Sequence, residues 1–276
     1  MIETQISYDR IRSPLRYPGG KQKAITKIAK FLPSSATEYR EPLAGGASVY
    51  FYARSINLAK KYWINDAFKE LISFWQVVKD PDKCSALIND LVKLQTTFPS
   101  AKELKIYYDS VKKECPEDIY RQALLFFFFN RVSFSGTTRA GGFSSAASLL
   151  RFTASSIQRL AFMPKILSDV KITNIDFADV INTSGTDVFM FLDPPYYKAK
   201  KLYGHKGDLH QFDHQRLADT LKNTEHKFLI TYDDCSEIRH LYKWAKISNW
   251  QLQYGMNNCN LNRESKIGAE LFISNY

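Results

Sequence analysis

Cysteine is scarce and scattered: Cys84, Cys115, Cys235 and Cys259 form no Cys-x-x-Cys pair. Neither a zinc knuckle nor a disulfide framework is therefore legible, and the expectation is of reduced thiols in a cytosolic protein. No window of about 18 apolar residues occurs, and the opening segment MIETQISYDRIRSPLRYPGG lacks the apolar core of a signal peptide, so the chain is expected to be soluble. The Gly-x-Gly-x-x-Gly fingerprint is missing, which argues against a nicotinamide-dependent oxidoreductase. A phosphate loop is incomplete in RYPGGK, where the first Gly is absent and Lys21 is followed by Gln22. His205, His210 and His214 are spaced too loosely to suggest a metal cluster, and neither internal repeats nor low-complexity tails occur. Acidic residues are in deficit, 28 against 38 Lys and Arg, giving a net charge of +10. Such a balance suits an anionic partner, although an inert basic surface has the same composition.

What is present is a chain of 276 residues, 45% of them hydrophobic, enough to bury a sizeable core in one large domain or one domain with an insertion. Strand-like and helix-like segments alternate at both ends. SPLRYPGG reads as a loop, and KQKAITKIAKFLP as a helix with Ile25, Ile28, Ala29 and Leu32 on one face, stopped at Pro33. EYREPLAGGASVYFYARS reads as a strand end, a glycine turn and a helix, and YWINDAFKELISFWQVV repeats the theme. Between about 68 and 165 the pattern becomes consecutive helices: PDKCSALINDLVKLQTTF, AKELKIYYDSVKKE and PEDIYRQALLFFFFNR, followed by the polar loop SFSGTTRAGGFSSAAS. A structureless loop of that length is usually functional or disordered. Alternation resumes in VKITNIDFADVI, DVFMFLDPPYY, HQRLADTLKN, KFLITYDDCSEIRHLYKW and AELFISNY. The expectation is an α/β fold with a mostly parallel sheet covered on both faces, interrupted by a mainly helical insertion.

In such sheets ligands sit beyond the carboxyl ends of the strands. Three segments bring unusual residues to that edge. REPLAGGAS puts Gly45 and Gly46 ahead of a helix, where a backbone can turn tightly and approach a ligand. YWIND ends in Asp66, a possible acceptor for a ribose diol, and FLDPPY ends a strongly apolar strand in Asp193, Pro194, Pro195 and Tyr196. Taken singly, each has an ordinary reading as well: a loop glycine pair, an Asx-turn, or a Pro-Pro strand stop.

Taken in order, RYPGGK, EPLAGGASVYF, WINDAF, a helical insertion, DPPY and ELFISNY resemble the adenine-N6 DNA methyltransferases of the Dam and D12 type, over essentially the whole chain. The resemblance implies a Rossmann-like fold dependent on S-adenosylmethionine, with a catalytic domain from 1–67 and 166–276 and a target-recognition domain inserted at 68–165. It implies Tyr17, Lys21, Gly45, Gly46, Asp66, Asp176 and Asp193 around the cofactor, and no metal. The family usually has Phe and a further Gly where this chain has Leu43 and Ala47, which weakens the inference about cofactor affinity but not about the fold.

The chemistry of the tetrad is simple to state. An exocyclic amine is a poor nucleophile because its lone pair is delocalised into the ring. Asp193 and the carbonyl of Pro194 are placed to accept its two hydrogens, and the fixed φ of proline keeps such acceptors aimed. Tyr196 is expected to stack on a base flipped out of the duplex. Arg131 and Arg139, flanked by Ser and Thr, are candidates for base or phosphate contacts, with solvated loop arginines the alternative. The four phenylalanines 126–129 read as helix core. After the tetrad, Lys198, Lys200, Lys201 and Lys206 interleave with Tyr197 and Tyr203, a composition suited to clamping a strand or to a solvated loop.

The expected partner is double-stranded DNA, with no membrane association; a cognate restriction endonuclease and a monomer or weak dimer complete the expectation, in a cytoplasmic, nucleoid-associated protein. Methylation of RNA or of protein glutamine is the main rival, although relatives of that kind often carry Asn where this chain has Asp193. A catalytically inactive DNA-binding relative is the other.

Overall fold

The computed structural model describes residues 12–198, 212–253 and 267–276. Seven strands, β1 (Ala36–Glu41), β2 (Ala59–Asn65), β3 (Val170–Thr173), β4 (Val188–Leu192), β5 (Lys227–Asp233), β6 (Lys246–Gln253) and β7 (Ile267–Ser274), form one sheet. Their spatial order is β3-β2-β1-β4-β5-β7-β6. Strands β1 to β5 run parallel, and β7 lies antiparallel between β5 and β6. This is an α/β, Rossmann-like arrangement, a mostly parallel sheet with antiparallel pairing at one edge. All five side chains of β4 are buried, as its apolar run anticipates for a central parallel strand.

Chain order reverses between β1 and β4: β2 and β3 extend to one side, β4 and β5 to the other. At such a switch point the loops leaving neighbouring strands diverge, and a crevice opens beyond their carboxyl ends.

Helices α1 (Ile25–Ile28) and α2 (Ser48–Ser55) precede the long helical stretch between β2 and β3. That stretch holds α3 (Lys69–Lys79), α4 (Pro81–Thr97), α5 (Ala101–Val111), α6 (Ile119–Val132), α7 (Ser145–Arg151), α8 (Ala154–Gln158) and α9 (Met163–Leu167); α10 (Phe177–Asn182), α11 (His214–Lys222) and α12 (Ser236–Leu241) follow it. Local chemistry sets the starts. Asp80 accepts from the N–H groups of Asp82 and Lys83 ahead of Pro81, Ser100 and Glu103 form a capping box, and Asp118 accepts from Arg121 N. On α6, Phe126, Phe127, Phe128 and Phe129 are all buried, and Phe127 stacks on Phe74 of α3 with centroids 5.7 Å apart. One apolar cluster runs from Tyr39 and Tyr50 beside the sheet through Trp75 to these phenylalanines. The rings serve as helix core, as the sequence reading expects.

Three segments depart from that reading. The helix expected from 21 to Pro33 is a short α1 flanked by 3₁₀ turns at Lys21–Lys23 and Ala29–Phe31. Lys21 is drawn inward here, and β-branched Ile25, Thr26 and Ile28 favour an α-helix only weakly. The polar loop after α6 is shorter than expected, because a bridge between Ser133 and Phe143 closes it and α7 begins at Ser145. Strand β6 carries too little apolar alternation to be read from sequence; it is an edge strand in which Trp250 stacks on Phe272 of β7 at 4.5 Å.

The loop after α6 also fixes the segment that precedes α1. Asn130 accepts from Arg16 N (3.1 Å) and donates to the carbonyls of Arg16 (2.6 Å) and Gly136 (3.1 Å). Gly136 has φ +76°, and a Cβ there would lie 2.1 Å from the Arg16 carbonyl oxygen. Only glycine allows the two backbones to meet.

Candidate active site

Strand β4 ends at Leu192, and the next residue, Asp193, projects into the crevice. The parallel register pairs Leu192 with Ile230 of β5, so Thr231 lies beside Asp193. Its hydroxyl donates to Asp193 Oδ1 at 2.7 Å from a fully buried position. From the other side Lys21, buried in the N-terminal loop, brings Nζ to 2.6 Å from the same oxygen and also donates to the Gly19 carbonyl at 3.0 Å. The same ammonium lies 4.7 Å from the Tyr196 ring centroid, a cation–π contact.

The exit of the tetrad is held by two acids that face each other across β5 and β7. Tyr196 donates its phenolic hydrogen to Glu270 Oε2 at 2.5 Å. Asp233, paired in register with Glu270, accepts from the N–H groups of Tyr197 (2.8 Å) and Lys198 (3.0 Å). Pro194 is buried. Acceptor and ring are thus fixed by groups from β5, β7 and the turn at Lys21.

The glycine turn after β1 forms the second wall. Asp66, at the end of β2, accepts from Gly45 N (2.8 Å) and Phe68 N (2.9 Å). Burial raises the Asp66 carboxyl above its ordinary range, and these N–H groups oppose the rise. Gly45 has φ +49°, and a Cβ on Gly45 or Gly46 would lie 2.8 or 2.7 Å from Tyr17. The sequence suggests glycines that admit a ligand; in the fold they admit the Tyr17 ring first. Ala47, at the N-cap of α2, sits in the left-handed region with φ 54°. A third wall comes from α10 and α11: Asp176 caps α10 through Ala178 N and accepts two hydrogen bonds from Arg216, at 3.0 and 2.6 Å. Arg216 holds the Asp176 carboxyl below its ordinary range.

The resulting cleft encloses about 290 Å³ and brings Tyr17, Lys21, Gly45, Gly46, Asp66, Asp176 and Asp193 to one lining. Glu41 joins them from the end of β1. It accepts from Tyr39 at 2.5 Å, and burial pushes its carboxyl up to about 8, with Asp193 adding to the rise and the Tyr39 hydroxyl opposing it. Glu41 therefore keeps its proton near neutral pH, while Asp66, Asp176, Asp193 and Asp213 outnumber the Lys21 ammonium and the Arg216 guanidinium on the lining, an acidic excess matched to a ligand with positive charge.

The remaining candidates lie away from this lining. Arg131 is buried rather than presented by the loop, donating to the Pro14 carbonyl and packing 4.9 Å over Phe127, because α6 runs on to Val132. Arg139 pairs with Glu70 at 3.1 Å and donates to the Lys112 carbonyl at 2.8 Å. Lys198 is exposed and donates to the Asp234 carbonyl. Lys201, with Lys200, Tyr203 and Lys206, lies outside the described residues. His214 starts α11 and contacts the Tyr232 hydroxyl at 2.8 Å.

Sequence reasoning missed Glu41, Thr231, Asp233, Glu270 and Arg216. The one local signal was position: Glu41 and Asp233 close their strands, and Asp66 directly follows β2. Among the described residues no cluster of His, Cys, Asp and Glu side chains suits a metal ion, and no helix is long and apolar enough to cross a membrane.

Residues 17–256 match the model of the D12 class N6 adenine-specific DNA methyltransferases. The type II methyltransferase M.CviBI of Paramecium bursaria Chlorella virus NC1A is 27% identical over 245 residues, covering 87% of this chain and 90% of its own. The type II methyltransferase M.MjaIII of Methanocaldococcus jannaschii is 31% identical over 229 residues, covering 74% and 77%. The DNA adenine methylase of Salmonella typhi is 22% identical over 248 residues, covering 86% of each.

Proposed function

This chain belongs to the D12 class N6 adenine-specific DNA methyltransferases, and from that premise we propose that its cleft takes S-adenosylmethionine beside an adenine turned out of duplex DNA. The observation that carries the proposal is Asp193 at the switch point, held between Lys21 and Thr231 and followed by a ring that Glu270 fixes.

S-adenosylmethionine, when bound, supplies a methyl group on an electrophilic, positively charged sulfur. The carboxylate-rich lining fits that charge. Tyr17, Lys21, Gly45, Gly46, Asp66 and Asp193 hold the cofactor, with Asp66 on the ribose and Asp176 by the adenine moiety.

Asp193 and the Pro194 carbonyl accept the two N6 hydrogens of the target base. This draws the lone pair out of conjugation and stabilises the positive charge that develops on nitrogen. Because Lys21 and Thr231 fix the carboxylate before substrate arrives, its orientation requires no reorganisation during reaction. Tyr196 stacks on the base, a contact of about 1–3 kcal/mol, against the few kcal/mol that flipping costs. No covalent enzyme intermediate and no metal are needed for direct transfer.

The helical stretch at 68–165 acts as the target-recognition domain of a catalytic domain formed by 1–67 and 166–276. Arg139, Lys198 and Lys201 approach the DNA, and Arg131 acts from beneath the surface. The protein works in the cytoplasm at the nucleoid, as a monomer or weak dimer, alongside a cognate restriction endonuclease.

The direct test is incubation of the purified protein with unmethylated genomic DNA and S-adenosylmethionine, followed by single-molecule mapping of modified bases. N6-methyladenine at one short motif, absent with Asp193→Ala, is the expected result. Cofactor and DNA binding without any methylated adenine would overturn it.

A further inference from the structure

A second cavity, of about 280 Å³, lies on the helical side of the N-terminal loop and is lined by Arg16, Arg131, Arg151 and Arg159 together with Thr153 and Ser156. No acidic side chain lines it, and none of the four arginines forms an ion pair among the described residues. Arginine is ordinarily exposed, or buried with a partner. Here Arg131 is only 4% exposed, and its Nε has no hydrogen-bond partner. Burial together with Arg159, Arg16 and Arg151 lowers its pKa to about 9, and burial followed by Arg151 lowers that of Arg16. An uncompensated buried guanidinium beside three like charges is costly, and the cost is relieved when an anion sits among them.

The four side chains come from four places that only the tertiary fold unites. Arg16 belongs to the loop that Asn130 and Gly136 clamp, Arg131 lies in the last turn of α6, Arg151 ends α7, and Arg159 begins the 3₁₀ turn Arg159–Phe162. Arg151 and Arg159 are exposed while Arg131 is buried, so charge runs from the mouth of the cavity to its floor. Arg16 is the chain neighbour of Tyr17, whose ring packs on the Gly45–Gly46 turn of the candidate active site. The cavity and the cleft therefore share one short segment.

We infer that Arg16, Arg131, Arg151 and Arg159 form a pocket for one backbone phosphate of the DNA strand that carries the target adenine. The inference rests on the DNA-methyltransferase reading and adds to it a specific contact that fixes the strand relative to the cleft. Guanidinium forks pair with two phosphate oxygens at once, which positions the backbone without reading sequence. Arg131 then acts as the floor of a phosphate site and does not read a base.

The test uses the exposed pair, because Arg131→Ala is at risk of not folding. Binding of a fluorescein-labelled duplex of mixed sequence is measured by anisotropy between about 50 and 200 mM salt. Arg151→Ala and Arg159→Ala are each expected to weaken binding about ten-fold and to flatten the slope of log K against log salt by about 0.9. The KM for S-adenosylmethionine stays at the wild-type value, and Lys93→Ala on α4, outside the cavity, leaves the slope unchanged. Unaltered slopes in both arginine variants, or an equal loss in Lys93→Ala, would overturn the pocket while leaving the DNA reading intact. A wild-type protein that ignores the duplex but binds single-stranded RNA, with the same losses in the arginine variants, would overturn the DNA reading and keep a phosphate pocket. Binding to neither overturns both.

Discussion

Lys21 Nζ lies 2.6 Å from Asp193 Oδ1, joining the loop before α1 to the end of β4. Lys21 is almost fully buried and Asp193 keeps about a fifth of its side chain exposed, so the pair is screened far less than a surface ion pair. Asp193→Asn is expected to lower kcat at least about 100-fold by replacing one acceptor oxygen with a donor, while duplex affinity changes little. Lys21→Met removes a partner from a buried charge, and a loss of both stability and cofactor affinity follows. Steady-state kinetics beside a denaturation curve separates the two.

Thr231 holds Asp193 through one hydroxyl, and Thr231→Val removes that hydroxyl at nearly constant shape. The expected cost is about 1 kcal/mol in stability, with kcat lowered several-fold and the KM for DNA unchanged. Thr231→Ser keeps the donor and should restore kcat. A fall in Thr231→Ser as large as in Thr231→Val would assign the residue to packing alone.

Glu41 gives the fold a pH dependence. Its carboxyl is raised to about 8 in the folded chain, so between its unfolded value and about 8 the folded state binds the extra proton. Stability from this group is complete below the unfolded pKa and is lost as pH rises through about 8. Glu41→Gln cannot ionise, and it should therefore gain on wild type between pH 5 and pH 8.5, by on the order of 1–3 kcal/mol in urea denaturation. A constant difference at both pH values would refute this.

Gly136→Ala places a methyl group 2.1 Å from the Arg16 carbonyl oxygen and forces a left-handed φ on alanine. A loss of about 2–4 kcal/mol is expected. Because Arg16 and Tyr17 follow the displaced segment, both the duplex affinity and the cofactor KM should worsen together.

Arg216 and Asp176 are both well exposed, and their two hydrogen bonds stabilise little. Arg216→Ala should change the melting curve by less than about 1 kcal/mol. The KM for S-adenosylmethionine should nonetheless shift several-fold, since Asp176 lines the cleft and loses its fixed orientation. An unchanged KM would remove Asp176 from the cofactor contacts.

The amino-acid sequence by itself determined the local features of this protein: the apolar β4 run ending in Asp193-Pro194-Pro195-Tyr196, the glycine turn after β1, the caps of α4 to α6, and the phenylalanines of α6. Each is written within a few neighbouring residues, where alternation, periodicity and backbone restriction act. Tertiary structure alone decided the rest. Thr231 and Glu270 look like ordinary strand residues until the register of β5 on β4 and of β7 on β5 sets them against Asp193 and Tyr196. Arg131 looks like a loop residue until α6 extends past it and buries it beneath the N-terminal segment. Lys21 reaches Asp193, and Arg16 reaches Arg131's cavity, only because Asn130 and Gly136 clamp the loop between them. Such contacts join residues far apart in the chain, and closing those loops is a property of the packed core and not of any short segment.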